Sequence, residues 1–117
     1  MLPATHRLVD GASFRDVTRR GRRASSHTVV THLLVVPDAE VSVVAVKVGF
    51  VVSKAVGGSV VRGRVKRRLR HVVRTELPHL PPGSSLVVRA LPASAEASSA
   101  RLRRDLVSCL ARYRSPA

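Results

Sequence analysis

The hydrophobic pattern of this 117-residue chain changes its period at the glycine pair 57–58, and that change constrains the fold most strongly. Residues 41–53 are rich in β-branched side chains, which favour strands, and they exceed the length of one typical strand. We therefore expect a bent strand or a break near Lys47. After the glycines, apolar residues recur at helical spacing, at Val61, Val65, Leu69 and Val72. The pattern predicts strands followed by an amphipathic helix that ends before Pro78.

Weaker patterns on both sides of this segment predict the remaining elements. They indicate a helix at 10–20, a strand at 28–36, a short strand at 86–90, a Ser/Ala-rich loop through residue 98 and a last helix at 101–113. Asp10 can cap the first helix, and Gly21 suits the position after its end. The last helix carries an apolar stripe of Leu102, Leu106, Cys109, Leu110 and Tyr113. This order of elements predicts an α+β domain in which helices pack on one sheet.

Length and composition favour a single small domain at 1–117, with an extended segment at 1–9 and a flexible tail at 114–117. Hydrophobic residues make up 44% of the chain, and Val, Leu and Ala must fill the core because aromatic residues make up only 3%. Cys109 is the only cysteine, so no disulfide can form within the chain. The first residues lack the apolar core of a signal peptide, and no segment is apolar enough to span a membrane. We therefore expect a cytoplasmic protein.

Basic residues far outnumber acidic ones in this chain. Lys and Arg total 21 against 7 Asp and Glu, which gives a net charge of +14 and a pI near 11.9. Most of these cations are arginine, whose planar guanidinium suits bidentate contacts to phosphate. No acid lies between positions 41 and 75, and the predicted long helix carries seven cations there: Arg62, Arg64, Lys66, Arg67, Arg68, Arg70 and Arg74. Like charges at this spacing repel one another, and a polyphosphate partner would offset that repulsion.

Four other interpretations of the basic helix stay open at this point. The cations could form a solvated face, although the missing acids and the arginine bias argue against it. The helix could lie on a membrane surface, but its apolar face lacks Trp and Phe. It could enter the major groove of DNA, but Asn and Gln, which read base edges, are absent from the chain. A structural ribosomal protein shares the charge and the size, and it would co-sediment with a ribosomal subunit.

A long run in the middle of the chain resembles a known family. Residues 47–70 read K-V-G-F-V-V-S-K-A-V-G-G-S-V-V-R-G-R-V-K-R-R-L-R. This run closely resembles the signature of the bacterial ribonuclease P protein subunit, approximately V-G-F-x-V-S-K-K-V-G-N-A-V-x-R-N-R-x-K-R-x-x-R. The resemblance covers nearly the whole chain in order, and the other matching positions are Leu2-Pro3, His6-Arg7-Leu8, Phe14, Val17, Arg20-Gly21 and the strand residues 87–92.

The chain departs from the family pattern at four positions. Gly58 and Gly63 replace two asparagines of the signature. Gly63 costs about 1 kcal/mol of helix propensity and removes an amide that could bond RNA. Thr18 and His32 stand where aromatic residues are common in the family. These departures affect side-chain detail, especially stacking on a substrate.

The resemblance implies a fold, a partner and an activity. The family fold is α+β, with a central, mostly antiparallel sheet of about four strands and three helices. Its strand–helix–strand crossover is left-handed, against the usual right-handed rule. Family members join ribonuclease P RNA, and the complex removes the 5′ leader of precursor tRNA. The RNA holds the Mg²⁺ ions and carries out hydrolysis, so the protein alone should be inactive; neither a membrane nor an obligate protein partner is expected.

The resemblance also implies two groups of RNA-binding residues. Those that should face the catalytic RNA are Arg62, Arg64, Arg67, Arg68 and Lys54. The leader should cross a cleft between the sheet and the first helix, and the residues that should line it are Phe14, Lys66 and Arg70. A flexible strand is commonly held by cations and a stacking ring in this way. Phe14 fits core packing beside Val17 equally well, and Lys54 fits a solvated strand end equally well.

The sequence predicts no protein-based active site and no metal site. Metal ligation or acid–base catalysis would need clustered carboxylates, whereas the 7 acids are scattered singly. The histidines show no ligand spacing, so we expect each at the surface or facing RNA: His6, His27, His32, His71 and His79. Cys109 lies on the apolar stripe of the last helix, which predicts a buried hydrophobic role.

Overall fold

The computed structural model describes residues 11–35, 46–81 and 83–113, which form three α-helices and four β-strands. The elements are α1 (Gly11–Arg20), β1 (Arg22–Ser25), β2 (Val29–Leu34), β3 (Lys47–Val51), α2 (Ser59–Glu76), β4 (Ser85–Ala90) and α3 (Ser99–Ala111). Two short 3₁₀ turns, Leu77–His79 and Pro92–Ala95, follow α2 and β4. The predicted extended segment 1–9, the Asp10 cap and the tail 114–117 lie outside the described residues.

The four strands form one mixed sheet in the order β1-β2-β4-β3. β2 pairs in antiparallel with both β1 and β4, whereas β3 pairs in parallel with β4. A parallel pair cannot be joined by a tight turn, and α2 supplies the long connection between β3 and β4. The expected α+β fold, with a mostly antiparallel sheet and three helices, is confirmed. The left-handedness of the crossover stays a prediction.

One face of the sheet packs against α2 and α3 and forms the main core. Alternate strand residues, such as Leu33, Leu86 and Val88, are buried on this face. Most of the predicted stripes are buried: Val65, Leu69 and Val72 from α2, with Val61 half-buried, and Leu102, Leu106, Cys109 and Leu110 from α3, followed by Tyr113 just beyond its end. Burial raises the pKa of the Cys109 thiol and keeps it protonated, as expected of a buried hydrophobic residue.

The opposite face of the sheet carries α1. Val17 of α1 and Val87 of β4 are buried there, and Phe14, Leu34 and Val51 pack around them. The end of α1 comes so close to β2 that a Cβ atom on Gly21 would clash with the carbonyl oxygens of two residues, Val17 and Leu33. The φ angle of Gly21 is not positive, so this close approach, and not a left-handed helix end, requires glycine.

Hydrogen bonds fasten α3 to the first two strands. The Tyr113 hydroxyl lies 2.7 Å from the Thr31 hydroxyl and within 3.2 Å of the Arg22 carbonyl oxygen. The Arg22 guanidinium lies over the Tyr113 ring, 5.7 Å from its centroid. Further along the helix, the buried Thr28 hydroxyl donates to the Asp105 carboxylate at 2.6 Å. These contacts hold the middle of α3 and the residue Tyr113, just beyond its end, against the sheet.

Three details differ from the sequence-based expectation. β1 was not predicted, because its residues Arg-Arg-Ala-Ser bury only Ala24 and contain no hydrophobic run. The predicted Ser/Ala-rich loop contains the 3₁₀ turn Pro92–Ala95, and α3 begins at Ser99 because the Ser98 hydroxyl accepts a hydrogen bond from the Arg101 amide. β3 begins at Lys47, the position of the expected break; residues 41–45 lie outside the described residues.

Candidate nucleic-acid interface

Helix α2 carries all seven cations predicted for it on the turns beside its buried stripe. Arg67 and Arg74 are exposed, and the other five are half-buried: Arg62, Arg64, Lys66, Arg68 and Arg70. Within the described residues none of these cations forms a salt bridge, and the ion pairs found there involve α1 and α3 instead. The charge on α2 is therefore available to an anionic partner.

Two of the arginines predicted to bind RNA also hold the fold together. The Arg64 guanidinium donates to the carbonyl oxygen of Ala95, and that of Arg68 donates to the carbonyl oxygen of Ala97, both at 3.2 Å. These bonds tie α2 to the segment that precedes α3. The Nε atoms of Arg62 and Arg64 are buried and have no hydrogen-bond partner. A guanidinium carries five N–H donors, so Arg64 and Arg68 keep donors for a phosphate while their orientation is fixed.

A basic groove runs between α2 and the start of α3. Its cavity of about 270 Å³ is lined by Arg67, Arg68, His71, Val72, Ser99 and Arg103. Several guanidiniums around one groove are a favourable setting for a phosphate group, because each can donate charge-assisted hydrogen bonds to it. The groove could not be predicted from the sequence, because its two walls come from different helices, with His71 on α2 and Arg103 on α3. The sequence feature that could have indicated the groove is the position of Arg103, in the second turn of a helix capped by Ser98.

The residues predicted to hold the leader lie on both sides of the edge strand β3. Phe14 packs over Gly49 on the face that carries α1. Val48, the preceding residue of β3, is buried in the core on the α2 side. Lys66 and Arg70 belong to α2 and are half-buried. A strand of RNA that touched all three predicted residues would therefore cross the β3 edge of the sheet.

The remaining predicted site residue lies where the sequence placed it. Lys54 is exposed in the turn that follows β3, and the Val56 amide donates to the Ser53 carbonyl oxygen at 3.0 Å to close this turn. Thus Lys54 precedes α2 by only a few residues. Its charge lies within the connection that leads from β3 to the cationic helix.

The two glycines that replace family asparagines both lie at α2. Gly58 is the N-cap of the helix and offers it no side-chain hydrogen bond. Gly63 lies within the helix and is exposed. A Cβ atom at either position would meet nothing within 4 Å, so no steric contact requires glycine there.

Potential metal ligands are not clustered in the described part of the chain. In 11–35, 46–81 and 83–113, no group of three His, Cys, Asp or Glu side chains lies close enough together to hold a metal ion. The carboxylate of Asp105 is instead engaged by Thr28 and Arg101. Among the described helices, none is both long enough and apolar enough to cross a bilayer.

This fold and this surface define a class of protein, a small basic α+β domain with an arginine-rich helix whose charge suits a polyanionic partner. Comparison with protein families is more specific, since the family described as Ribonuclease P matches residues 2–114. This chain belongs to the ribonuclease P protein family.

Relatives and solved structures agree with this assignment. The chain is 56% identical over 112 residues to the Ribonuclease P protein component of a Nocardioides species, covering 96% of this chain and 94% of that protein. It is 52% identical over 117 residues to that of Streptomyces griseus, with the same coverage of both. The structure of the Staphylococcus aureus RNase P protein matches with a TM-score of 0.78 and 20% identity, over 92% of this chain and 94% of that one. The Thermotoga maritima RNase P protein matches with a TM-score of 0.77 and 19% identity, over 93% and 98%. At these identities the solved structures show the shared fold.

Proposed function

We propose that this chain is the protein component of ribonuclease P, which joins the catalytic RNA and promotes removal of the 5′ leader from precursor tRNA. The observation that carries the proposal is the cationic side of α2, whose arginines find no carboxylate within the described residues. A polyanion neutralises such a surface and releases counterions as it binds. In this proposal the protein acts in the cytoplasm, where the complex meets tRNA precursors.

In this proposal the catalytic RNA lies along α2 and the groove beside it. The residues assigned to it are Arg62, Arg64, Arg67, Arg68 and Lys54. Support comes from the hydrogen bonds that fix Arg64 and Arg68 before any RNA arrives, since a pre-oriented guanidinium loses less conformational entropy on binding. Arg103 and His71 extend the same contact surface to α3.

The leader is assigned to Phe14, Lys66 and Arg70, around the edge strand β3. The cations would follow the phosphates of the leader, and the Phe14 ring would stack on a base. Phe14 is half-buried, so part of its ring packs on the sheet while the rest stays accessible. Its core role and its proposed leader role are therefore compatible.

Hydrolysis belongs to the RNA in this proposal. The Mg²⁺ ions are assigned to the RNA, as membership of the ribonuclease P protein family implies. The protein would raise the affinity of the complex for metal and substrate by neutralising phosphates and holding the leader.

The test is cleavage of precursor tRNA by a bacterial ribonuclease P RNA, with and without this protein, at low millimolar Mg²⁺. We expect a large rise in rate, the correct mature 5′ end and no activity from the protein alone. Tight RNA binding without a rise in rate would contradict the proposal. In that case the first variants to examine would restore asparagine at Gly58 and Gly63.

A further inference from the structure

A second cavity lies where the turn between β1 and β2 meets the segment that precedes α3. Its volume, about 290 Å³, is close to the lower limit of about 300 Å³ for small-molecule sites. The residues that line it are His27, Thr28, Ala93, Glu96, Ala97 and Arg101. None of these residues has a role in the proposed function, so the cavity is a separate feature of the surface.

One wall of this cavity holds a guanidinium in a fixed orientation. The Nε atom of Arg101 donates to both carboxylate oxygens of Asp105 at 3.2 Å. Asp105 is held in turn by the Thr28 hydroxyl, and the Leu91 amide donates to the Thr28 carbonyl oxygen at 2.8 Å. Within the described residues the two Nη groups of Arg101 have no hydrogen-bond partner. They are therefore available to the acceptor atoms of a ligand.

The cavity also contains a carboxylate, that of Glu96, which is exposed. This carboxylate forms no salt bridge with a described residue, since the ion pairs found there use other acids. The carbonyl oxygens on either side of it, those of Ala95 and Ala97, accept hydrogen bonds from arginines of α2. A carboxylate so close to a cationic surface repels phosphates and weakens the binding of a polyanion. It suits a partner that presents N–H donors at this point.

We propose that this cavity binds a guanine base, whose N1–H and N2–H groups donate to Glu96 and whose O6 and N7 atoms accept from Arg101. Among the four RNA bases, only guanine carries two adjacent donors on its Watson–Crick edge and two adjacent acceptors on its Hoogsteen edge. A carboxylate matches the first edge and a guanidinium matches the second. The small side chains of Ala93 and Ala97 leave room for a flat ring, and the exposed His27 ring supplies a stacking surface.

Two sources supply guanine, an unpaired residue of an RNA and a free guanine nucleotide. The position of the cavity favours RNA, because the bonds of Arg64 and Arg68 join residues 95–97 to the cationic helix α2. A strand whose phosphates lie along α2 therefore brings its bases close to Glu96. Proteins commonly read unpaired RNA bases through such hydrogen bonds and stacking. This choice of source rests on the proposed function, whereas guanine binding by the cavity does not.

The first test compares the monophosphates of guanosine, adenosine, cytidine and uridine as ligands of the full chain, by NMR titration at constant ionic strength. All four carry the same phosphate, so a difference in affinity reports the base. We expect guanosine monophosphate to bind about 5- to 100-fold more tightly than adenosine monophosphate. It should shift the amide signals of Thr28, Ala93 and Ala97. Inosine monophosphate, which lacks the N2 amino group, should bind less tightly than guanosine monophosphate.

Glu96→Gln tests the carboxylate, because it keeps the shape of the side chain and replaces one of its two acceptor oxygens with a donor. The preference for guanosine over adenosine and inosine monophosphates should disappear in this variant. Asp16→Asn is the matched control, since it removes a carboxylate outside the cavity and should leave the preference unchanged. The inference is overturned if Glu96→Gln strengthens the binding of every nucleotide by the same factor, or if the wild type binds all four monophosphates equally.

The source of the guanine is separated by probing the catalytic RNA and precursor tRNA with kethoxal, which reacts with N1 and N2 of unpaired guanines. A guanine that the wild type protects and Glu96→Gln does not assigns the cavity to that RNA. A preference for guanosine monophosphate without such protection assigns it to the free nucleotide. Selective binding of guanosine monophosphate without stimulated cleavage would refute the proposed function and leave this site standing. Stimulated cleavage without that selectivity would overturn this inference alone.

Discussion

The ring of Phe14 in α1 lies directly on the backbone of Gly49 in β3, so closely that any side chain at position 49 would overlap it. This contact sets the height of α1 above the sheet at its β3 end. Val17, one turn later, is buried near Val87 and fixes the helix at the next strand. The position of the proposed leader-binding ring therefore depends on a glycine in another element.

Gly49→Ala should displace Phe14 and destabilise the domain. Over-packing of a close contact costs about 1–3 kcal/mol, and we expect a loss of that size in the free energy of unfolding measured by urea denaturation. Affinity for leader-bearing precursor tRNA should fall as well. An unchanged unfolding midpoint would contradict the contact.

Gly63→Ala is the matched change at an open site and should act in the opposite direction. The added Cβ atom meets nothing within 4 Å, so only helix propensity changes. We expect a gain of about 0.8–1 kcal/mol in the free energy of unfolding, and a smaller gain for Gly63→Asn. A lower melting temperature for Gly63→Ala would contradict the helical, exposed position of this residue.

Arg67→Ala and Arg68→Ala should separate RNA binding from stability. Both changes remove a cation from the groove, so both should weaken assembly with the catalytic RNA. Of these two residues, Arg68 alone bonds a carbonyl oxygen, that of Ala97. Arg68→Ala should therefore also lower the free energy of unfolding, by about 0.5–1.5 kcal/mol, whereas Arg67→Ala should not. Arg64→Ala should behave like Arg68→Ala because of its bond to Ala95. Equal stability losses in all three variants would argue against this division.

Lys66→Ala and Arg70→Ala should weaken binding of precursor tRNA that carries a leader more than binding of tRNA without one. Each change removes one phosphate contact, and the salt slope for the leader should fall by about 0.7. Arg74→Ala, an exposed cation on the last turn of α2, is the control and should not discriminate between the two RNAs. If both RNAs lose affinity equally, the leader assignment is wrong.

Asp105 should make the fold sensitive to acid. Burial alone would raise the pKa of this carboxyl, but hydrogen bonds from Thr28 and Arg101, with the charges of Arg101 and Arg104, lower it below its usual value of 3.8. A depressed pKa in the folded state contributes stability above the unfolded pKa, and that contribution is lost as the pH falls through the folded pKa. Denaturation monitored between pH 7 and pH 2 should show this loss below about pH 4.

The variant that checks this assignment is Asp105→Ala, which leaves the buried Thr28 hydroxyl without its acceptor. We expect a cost of about 1–3 kcal/mol at neutral pH and a much smaller difference from the wild type at pH 2. Asp16→Ala is the control, because the exposed Asp16–Arg20 pair should contribute less than about 1 kcal/mol. A pH-independent effect of Asp105→Ala would contradict the role of the charge.

The elements predicted from sequence were those with a strong hydrophobic period. α2 begins at Ser59, after the glycine pair, and its predicted stripe is buried at Val65, Leu69 and Val72 and half-buried at Val61. The stripe of α3 is buried as well, although the helix begins at Ser99 and not at Arg101. Period-based reasoning works here because burial on one helix face follows directly from residue spacing.

Features that depend on register could not be predicted in the same way. β1 buries a single residue, Ala24, and exists because its backbone pairs with β2. The bonds of Arg64 and Arg68 reach carbonyl oxygens 31 and 29 residues away. His32 was expected at the surface or facing RNA, whereas its Nδ1 atom is buried in a position that only strand pairing defines. Pairing between residues far apart in the sequence produces no local pattern of residue spacing from which it could be predicted.

The hydrogen bonds of Tyr113 join the last residues of the domain to its first strands, so they can form only after most of the chain has been synthesised. The Tyr113 hydroxyl bonds Thr31, 82 positions earlier, and α3 covers the core face of the sheet. A nascent chain that has β1 and β2 but not yet residue 113 therefore exposes apolar surface that α3 covers in the folded domain. Exposed sheet surface of this kind promotes aggregation. Between translation of the sheet and release of α3, the sheet thus lacks the cover that this helix gives it in the folded domain.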